Sequence, residues 1–177
     1  MGARTTDQDE RYREAAVLYG EPLGRLARGY EADPDERRDL LQEIHTALWR
    51  SFAGFDGRCS IRTWVYRVAH NVGASHVTRR RRNEGATWVG LDELIDASDE
   101  DNPERSAGDS QVLTRLLAMI RTLKPPDSQV MLLYLEDLDA AAIGEITGLT
   151  PGAVTTKIHR IKAILARRFQ QEARDDG

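Results

Sequence analysis

The chain is poor in the residues that build covalent or metal-held frameworks. Its one cysteine, Cys59, leaves no partner for an intramolecular disulfide and no thiolate cluster for a structural zinc. The four histidines, His45, His70, His76 and His159, show no ligand spacing with cysteine or paired carboxylates, so no metal centre is expected. Long apolar runs are missing too. "QVMLLYL", residues 129–135, is core length, far short of the roughly 18 residues that suggest a bilayer span. "MGARTTDQDERYRE" lacks the apolar stretch of a secretory signal, and a cytoplasmic protein without a membrane span is expected. No phosphate-cradling glycine loop, nucleophile elbow or paired acid-base constellation occurs, which argues against an enzyme and against a cofactor.

What is present fits a soluble globular protein with some mobile segments: 40% apolar and 31% charged residues. At 177 residues the chain suits one domain or two small helical ones. The net charge of −4, taken alone, argues against a nucleic-acid partner, yet the total conceals an order. From Arg58 to Arg82 every formally charged side chain is positive. "LDELIDASDEDNPERSAGD", residues 91–109, is acidic but for Arg105, and the last helical pattern turns basic at Lys157, Arg160, Lys162, Arg167 and Arg168. A local cluster, not the total, sets the field that a phosphate backbone meets.

Helical periodicity accounts for most of the chain. Residues 1–10 show none and are expected to be disordered. "YREAAVLYGEPLGRLARGYEAD" suits one or two short helices, interrupted at Gly20 and Pro22. At "DPDERRDLLQEIHTALWRSF" the signal sharpens: Asp33 can cap, Pro34 suits the first helical position, and Glu36 stands where a capping-box acid would reach back. Leu40, Leu41, Ile44 and Leu48 then share a face, and the helix should end before Gly54 or Gly57. After the loop "GFDGRC", Ser60 caps a helix on which Ile61, Trp64, Val65, Val68 and Val72 form a single apolar stripe, with Trp64 assigned to the core. Arg67, Asn71, Ala74 and Thr78 line the flank beside it, leading into the four arginines 79–82. A guanidinium, an amide and a hydroxyl on one surface suit phosphate and base contacts. A solvated helix end is the plainer reading of the arginines.

Residues 83–111 have no sustained period and read as a flexible acidic linker. Order resumes with Leu113, Leu116, Leu117 and Ile120 at helical spacing, is broken at Lys124-Pro125-Pro126, and returns in "DSQVMLLYLED", with Asp127 or Ser128 near the cap. A short helix from about Ala140 to Thr147 should be closed by Gly148 in the left-handed conformation. Leu149 can pack inward, Thr150 can cap, and Pro151 suits the start of a last helix running to about Phe169, with 170–177 as a tail. This is a helix, a tight turn and a helix. Val154, Ile158, Ile161 and Leu165 form its buried stripe. Gly152, Thr156, His159, Arg160, Ala163 and Arg167 lie opposite, with Thr155 at the edge, where a recognition helix meets base edges.

These residues carry a family resemblance. "DLLQEIHTALWRSF", followed by "FDGRCSIRTWVYRVAHN" and the arginines, resembles region two of the extracytoplasmic-function sigma factors of the sigma-70 family. "EITGLTPGAVTTKIHRIKAIL" is similar to their region four. The match runs from about Arg11 to Phe169. It implies an all-α chain of two small helical domains, region two over 11–82 and region four over 112–169, joined by the linker. It also implies a transcription initiation factor that binds core RNA polymerase and confers promoter recognition and opening. By resemblance, Asp39, Gln42, Glu43 and Trp49 dock on the clamp helices of the beta-prime subunit. The same match implies minus-ten contacts at Arg58, Cys59, Arg67, Asn71, Thr78, Arg79, Arg80 and Arg82, with a base flipped near Asn71 and the loop 56–60. Thr155, Thr156, Lys157, His159 and Arg160 correspond to the reader of the minus-thirty-five element. The linker is implied to thread toward the active-site cleft and RNA exit path; the beta subunit is a further implied contact of the polymerase core, and an anti-sigma protein is a further implied partner, although no residue identifies one. Two departures stand out. Arg37 and Arg38 replace small or acidic residues, and Gly144 stands where the family more often has alanine, which suggests a loosening of its helix by about 1 kcal/mol. The alternative, a helix-turn-helix regulator that binds duplex DNA without polymerase, leaves the run of "WVYRVAHN" into an arginine cluster without a reason.

Overall fold

The computed structural model describes residues 2–88, 90–91 and 109–175, and among them the regular structure is helical, with no strand. The all-α class is as expected. The helices are α1 (Gly2–Tyr30), α2 (Pro34–Ser51), α3 (Ile61–Glu84), α4 (Asp109–Thr122), α5 (Asp127–Leu135), α6 (Ala140–Thr147) and α7 (Pro151–Asp175), with a 3-10 turn at Phe52–Gly54 after α2. The chain divides into two compact units, Met1–Ala86 and Thr87–Gly177. No helix among the described residues is long and apolar enough to cross a membrane.

Unit 1 is a three-helix bundle. Leu23, Leu26, Ala27 and Tyr30 of α1, Leu40, Ile44 and Leu48 of α2, Phe52, and Val65, Tyr66 and Ala69 of α3 form its core. The expected break at Gly20 and Pro22 does not occur: α1 is continuous, with Pro22 inside it. A proline there lacks one helical N–H, but buried side chains on the following turns hold the helix against its neighbours, and that packing outweighs the local defect. The expected disorder of residues 1–10 is likewise replaced by helix from Gly2 onward. Contacts remote in sequence account for it: Gln8 Nε2 donates to the Trp49 carbonyl at 2.8 Å, Trp49 Nε1 donates to Asp9 Oδ1 at 2.8 Å, and Tyr12 and His45 meet at 3.1 Å.

Asp33 caps α2 as its sequence suggests, accepting from the N–H groups of Asp35 and Glu36. The reciprocal bond to the Asp33 N–H, expected from Glu36, comes from Glu31 Oε1 at 2.9 Å. On α3 the buried face is rotated from the one expected. Of Ile61, Trp64, Val65, Val68 and Val72 only Val65 is buried; the others are half-buried or, for Ile61, exposed. The inward face instead carries Tyr66, Ala69, His70, Gly73 and His76. Small residues admit a close neighbour: a Cβ on Gly73 would lie 2.5 Å from the Tyr30 ring. The histidines can be buried because Tyr30 and Glu31 supply their polar partners. Beyond Arg82, α3 continues through Asn83 and Glu84 to a left-handed Gly85 cap.

Most of the expected acidic linker, 92–108, lies outside the described residues. At its far margin residues 109–111 already belong to α4. In unit 2, Leu117, Ile120 and Leu123 pack with Val130, Met131, Leu132 and Leu133 of α5, whereas Leu113, expected in the stripe, is 41% exposed. The cap of α5 is Pro126, with Asp127 in the first turn. Asp139 caps α6 through the Ala142 N–H at 2.8 Å, and Gly148 closes it with φ +79°. Thr150 Oγ1 accepts from the Ala153 N–H at 3.2 Å and so starts α7. Val154, Ile161, Ile164 and Leu165 of α7 are buried, Ile158 only half so, and α7 runs past the expected end at Phe169.

Candidate nucleic-acid interface

A buried carboxylate organises unit 1. Glu31, at the junction of α1 and α2, is fully buried. It accepts from His76 Nε2 at 2.9 Å, from Arg80 Nη1, and from the Asp33 N–H at 2.9 Å. Burial alone would push its pKa up, but the hydrogen bonds from Arg80 and His76, with that of the Asp33 amide, bring it down to about 2. Arg80 in turn is held in its charged form by Glu31 first and by Glu84, which it reaches at 2.7 Å. The last turns of α3 are thereby fixed to the start of α2.

That arrangement divides the arginine cluster. Arg80 is committed to the interior, Arg81 is half-buried, and Arg79 and Arg82 are exposed. Arg79 Nη2 stands 3.5 Å from Glu43 Oε2, with both side chains about half in solvent, a pair that contributes little. Along the same helix Arg67 is half-buried, while Asn71 and Thr78 are exposed, the Thr78 hydroxyl donating to the Ala74 carbonyl at 2.9 Å. At the N-terminal end the loop is shaped by Asp56, which pairs with Arg58 Nε at 2.9 Å and accepts from its backbone N–H at 3.1 Å. Gly57 takes φ +76°. The Cys59 thiol is half-buried. Trp64, half-buried instead of wholly in the core, donates to Ser51 Oγ at 2.9 Å and packs edge-on to Phe55 with ring centroids 5.2 Å apart.

On α2, Asp39, Gln42 and Glu43 are all exposed and line one open groove against α3 together with Thr46 and Val72. Trp49 does not line it; its ring, 37% exposed, is tied toward α1 through Asp9. A second groove joins Asp39 and Glu43 to Arg79, Arg80 and Asn83. The acidic face of α2 and the basic end of α3 are thus neighbours.

In unit 2, Thr155, Thr156, His159 and Arg160 lie exposed on α7. Each threonine hydroxyl donates back to a carbonyl four residues earlier at 3.0 Å, Thr155 to Pro151 and Thr156 to Gly152, so its outward oxygen lone pairs and methyl remain for a ligand. Lys157 does not share that surface: its Nζ is 2.7 Å from Asp127 Oδ1 at the start of α5. Glu31 and Asp127 were the two organising residues that helical periodicity could not reveal. Each acts through a partner at least 30 positions away.

The burial of His70 gives a pH prediction. Burial lowers the His70 pKa to about 4 from an ordinary 6.5, so the unfolded chain binds the extra proton first and stability falls as pH drops through that window. Glu31 adds a loss below its ordinary 4.5. Thermal melts of the full chain should show a declining melting temperature from about pH 6.5 downward. His70→Gln, which cannot titrate, should reduce the slope above about pH 4.5 and leave the part due to His45, whose pKa burial also lowers; an unaltered profile would rule out His70 as a source.

Comparison with known proteins follows the same division. Residues 18–83 match sigma-70 region 2, and residues 113–165 match sigma-70 region 4. The chain is 25% identical over 173 residues to the ECF RNA polymerase sigma factor SigW of Bacillus subtilis, covering 93% of this chain and 91% of that protein. It is 29% identical to the ECF RNA polymerase sigma-E factor of Haemophilus influenzae, covering 75% of this chain and 74% of the relative. Against the ECF RNA polymerase sigma factor SigG of Mycobacterium tuberculosis it is 26% identical over 73% of this chain but spans only 41% of that protein's length. Among solved structures, CnrH in complex with the cytosolic domain of CnrY has the same fold, with a TM-score of 0.68 at 18% identity over 95% of this chain and 93% of that one.

Proposed function

The chain belongs to the sigma-70 family, in its extracytoplasmic-function class, and from that premise we propose that it is a transcription initiation factor: it binds core RNA polymerase in the cytoplasm and directs it to promoters. The observation that carries the reading is the pairing, in order, of a region 2 match on one helical unit with a region 4 match on the other. In this reading the exposed acids and amide of α2, Asp39, Gln42 and Glu43, dock on the beta-prime clamp helices, with Trp49 at the edge of that surface. Asn71, Thr78, Arg79 and Arg82, with Arg67 and the loop at Arg58 and Cys59, engage the minus-ten element as it opens. Thr155, Thr156, His159 and Arg160 read the minus-thirty-five duplex. The factor has no catalysis of its own; its work is positioning and strand separation. An anti-sigma protein that covers these faces in the resting state belongs to the same reading.

Co-purification of the tagged chain with core RNA polymerase, followed by run-off transcription on pooled genomic DNA, tests it. Stoichiometric association with new sequence-specific start sites is expected. Duplex binding without polymerase association would transfer the chain to the ordinary helix-turn-helix regulators. Within that assay Arg160→Ala should weaken upstream-element binding roughly tenfold, within the 1–3 kcal/mol of a base-reading arginine. Asn71→Ala should leave the closed complex intact and slow opening, read by permanganate reactivity of unpaired thymines. Equal transcription from wild type and both variants would remove these residues from the interface.

A further inference from the structure

The recognition helix α7 sorts its cations by side. At roughly 100° per residue, Lys157 falls about 60° from the buried Val154, on the margin of the core, whereas Thr156, His159 and Arg160 point away. Its ammonium lies 2.7 Å from Asp127 Oδ1, with 32% of the lysine and 19% of the aspartate side chain exposed. Asp127 occupies the first turn of α5, where backbone amides favour a carboxylate, so the lysine has a fixed and sheltered counter-charge. Lys162 leans the same way: its Nζ is 3.4 Å from the Tyr134 hydroxyl and 5.4 Å from the centre of that ring. Both lysines of α7 are turned to α5, and the outward surface retains hydroxyls, an imidazole and a guanidinium.

The difference matters because lysine and arginine read DNA differently. A lysine ammonium near the backbone is a point charge that attracts any phosphate, regardless of sequence, whereas an arginine fork can pair with a guanine edge. A recognition helix with an unrestrained lysine gains affinity for all duplexes alike and loses discrimination.

We propose that Asp127 is a specificity-determining residue of the minus-thirty-five reader: it holds Lys157 on the α5 flank and withholds that charge from the phosphate backbone. The assignment rests on the reading of the chain as a promoter-recognition factor, and it removes Lys157 from the contacts that the family resemblance implies.

The test uses reconstituted holoenzyme and two duplexes, one carrying its minus-thirty-five element and one scrambled, with affinity measured across a salt series. For wild type and Lys157→Ala the slope of log affinity against log salt should coincide, because Lys157 makes no phosphate contact. Asp127→Asn should steepen the slope by about 0.9, the signature of one added phosphate contact. It should also raise affinity for the scrambled duplex about threefold to fourfold at 50 mM salt relative to 200 mM, narrowing the specific-to-scrambled ratio. Adding Lys157→Ala to Asp127→Asn should restore the wild-type slope. A slope shallower by about 0.9 in Lys157→Ala alone would place that lysine on DNA and overturn the proposal, and that arm does not depend on how well the Asp127 variant folds. An unchanged slope in a folded Asp127→Asn protein would overturn it as well. No sequence-specific binding by wild-type holoenzyme would remove the promoter-recognition reading first, and this assignment with it.

Discussion

Glu31→Ala is expected to destabilise unit 1 by about 3 kcal/mol, the lower part of the range for removing one member of a buried ion pair. Three donors lose their acceptor at once: His76 Nε2, Arg80 Nη1 and the Asp33 N–H. His76 is buried and has no solvent to turn to, whereas Arg80 is 41% exposed and retains Glu84, which is why the lower part of the range applies. The functional effect should exceed what partial unfolding explains. The brace joins the α1–α2 junction to the α3 turn that carries Arg79 and Arg82, so open-complex formation should fall even at a temperature where the variant is folded. Denaturant melts of the full chain, paired with a permanganate assay at a fixed folded fraction, measure the two effects separately. Glu31→Gln should be intermediate in stability, because an amide oxygen in the Oε1 position still accepts from the Asp33 N–H and Arg80 and only the bond from His76 to Oε2 is lost. If Glu31→Ala melts within about 0.5 kcal/mol of wild type, as surface substitutions usually do, the hub is not a structural element.

Gly144→Ala is the second large effect, and its expected sign is opposite to the one that helix propensity suggests. In isolation alanine in a helix interior is favoured over glycine by about 1 kcal/mol. In this turn a Cβ on residue 144 would lie 2.6 Å from the Leu149 carbonyl oxygen. That oxygen is backbone and cannot rotate away as a side chain would. Gly144 is buried, and its own carbonyl accepts the Gly148 N–H at 2.8 Å, which closes α6. Accommodating the methyl means separating α6 from the start of α7. Overpacking of this kind costs about 1–3 kcal/mol, so after the propensity gain of about 1 kcal/mol a net loss of about 1 kcal/mol is expected, accompanied by a loss of upstream-element binding because α7 is re-aimed. Thermal melting and duplex binding by holoenzyme measure both. A variant as stable as wild type, or more so, would show that the turn relaxes freely, and propensity would then be the better guide.

Several elements were legible in the chain alone because their signals are local. Asp33, Pro34, Gly148, Thr150 and Pro151 act within a turn of where they stand, and their caps and breaks follow from short-range hydrogen bonding and allowed backbone angles. Helix existence followed from apolar period, and the outward set Thr155, Thr156, His159 and Arg160 from its complement. The misplaced features share one physical origin. The α3 core face was missed because His70, Gly73 and His76 score as polar or neutral, yet Tyr30 and Glu31 make them buriable. The continuity of α1 through Pro22, and its start at Gly2 instead of after residue 10, depend on packing against α2 and on Trp49.

Period, caps and motif spacing are properties of neighbouring residues, and from them follow the all-α class, the order of two helical regions and the family to which they belong. Which charges face a partner follows instead from the folded arrangement. Arg80 looks like its neighbours in the arginine run 79–82 and Lys157 like the other cations of the last helix, but Glu31 and Asp127, 49 and 30 positions away, engage them. A side chain's local sequence sets which groups it carries. Whether a cation meets a phosphate or an internal carboxylate depends on what folding brings within a few ångströms, where Coulomb attraction and desolvation are strongest.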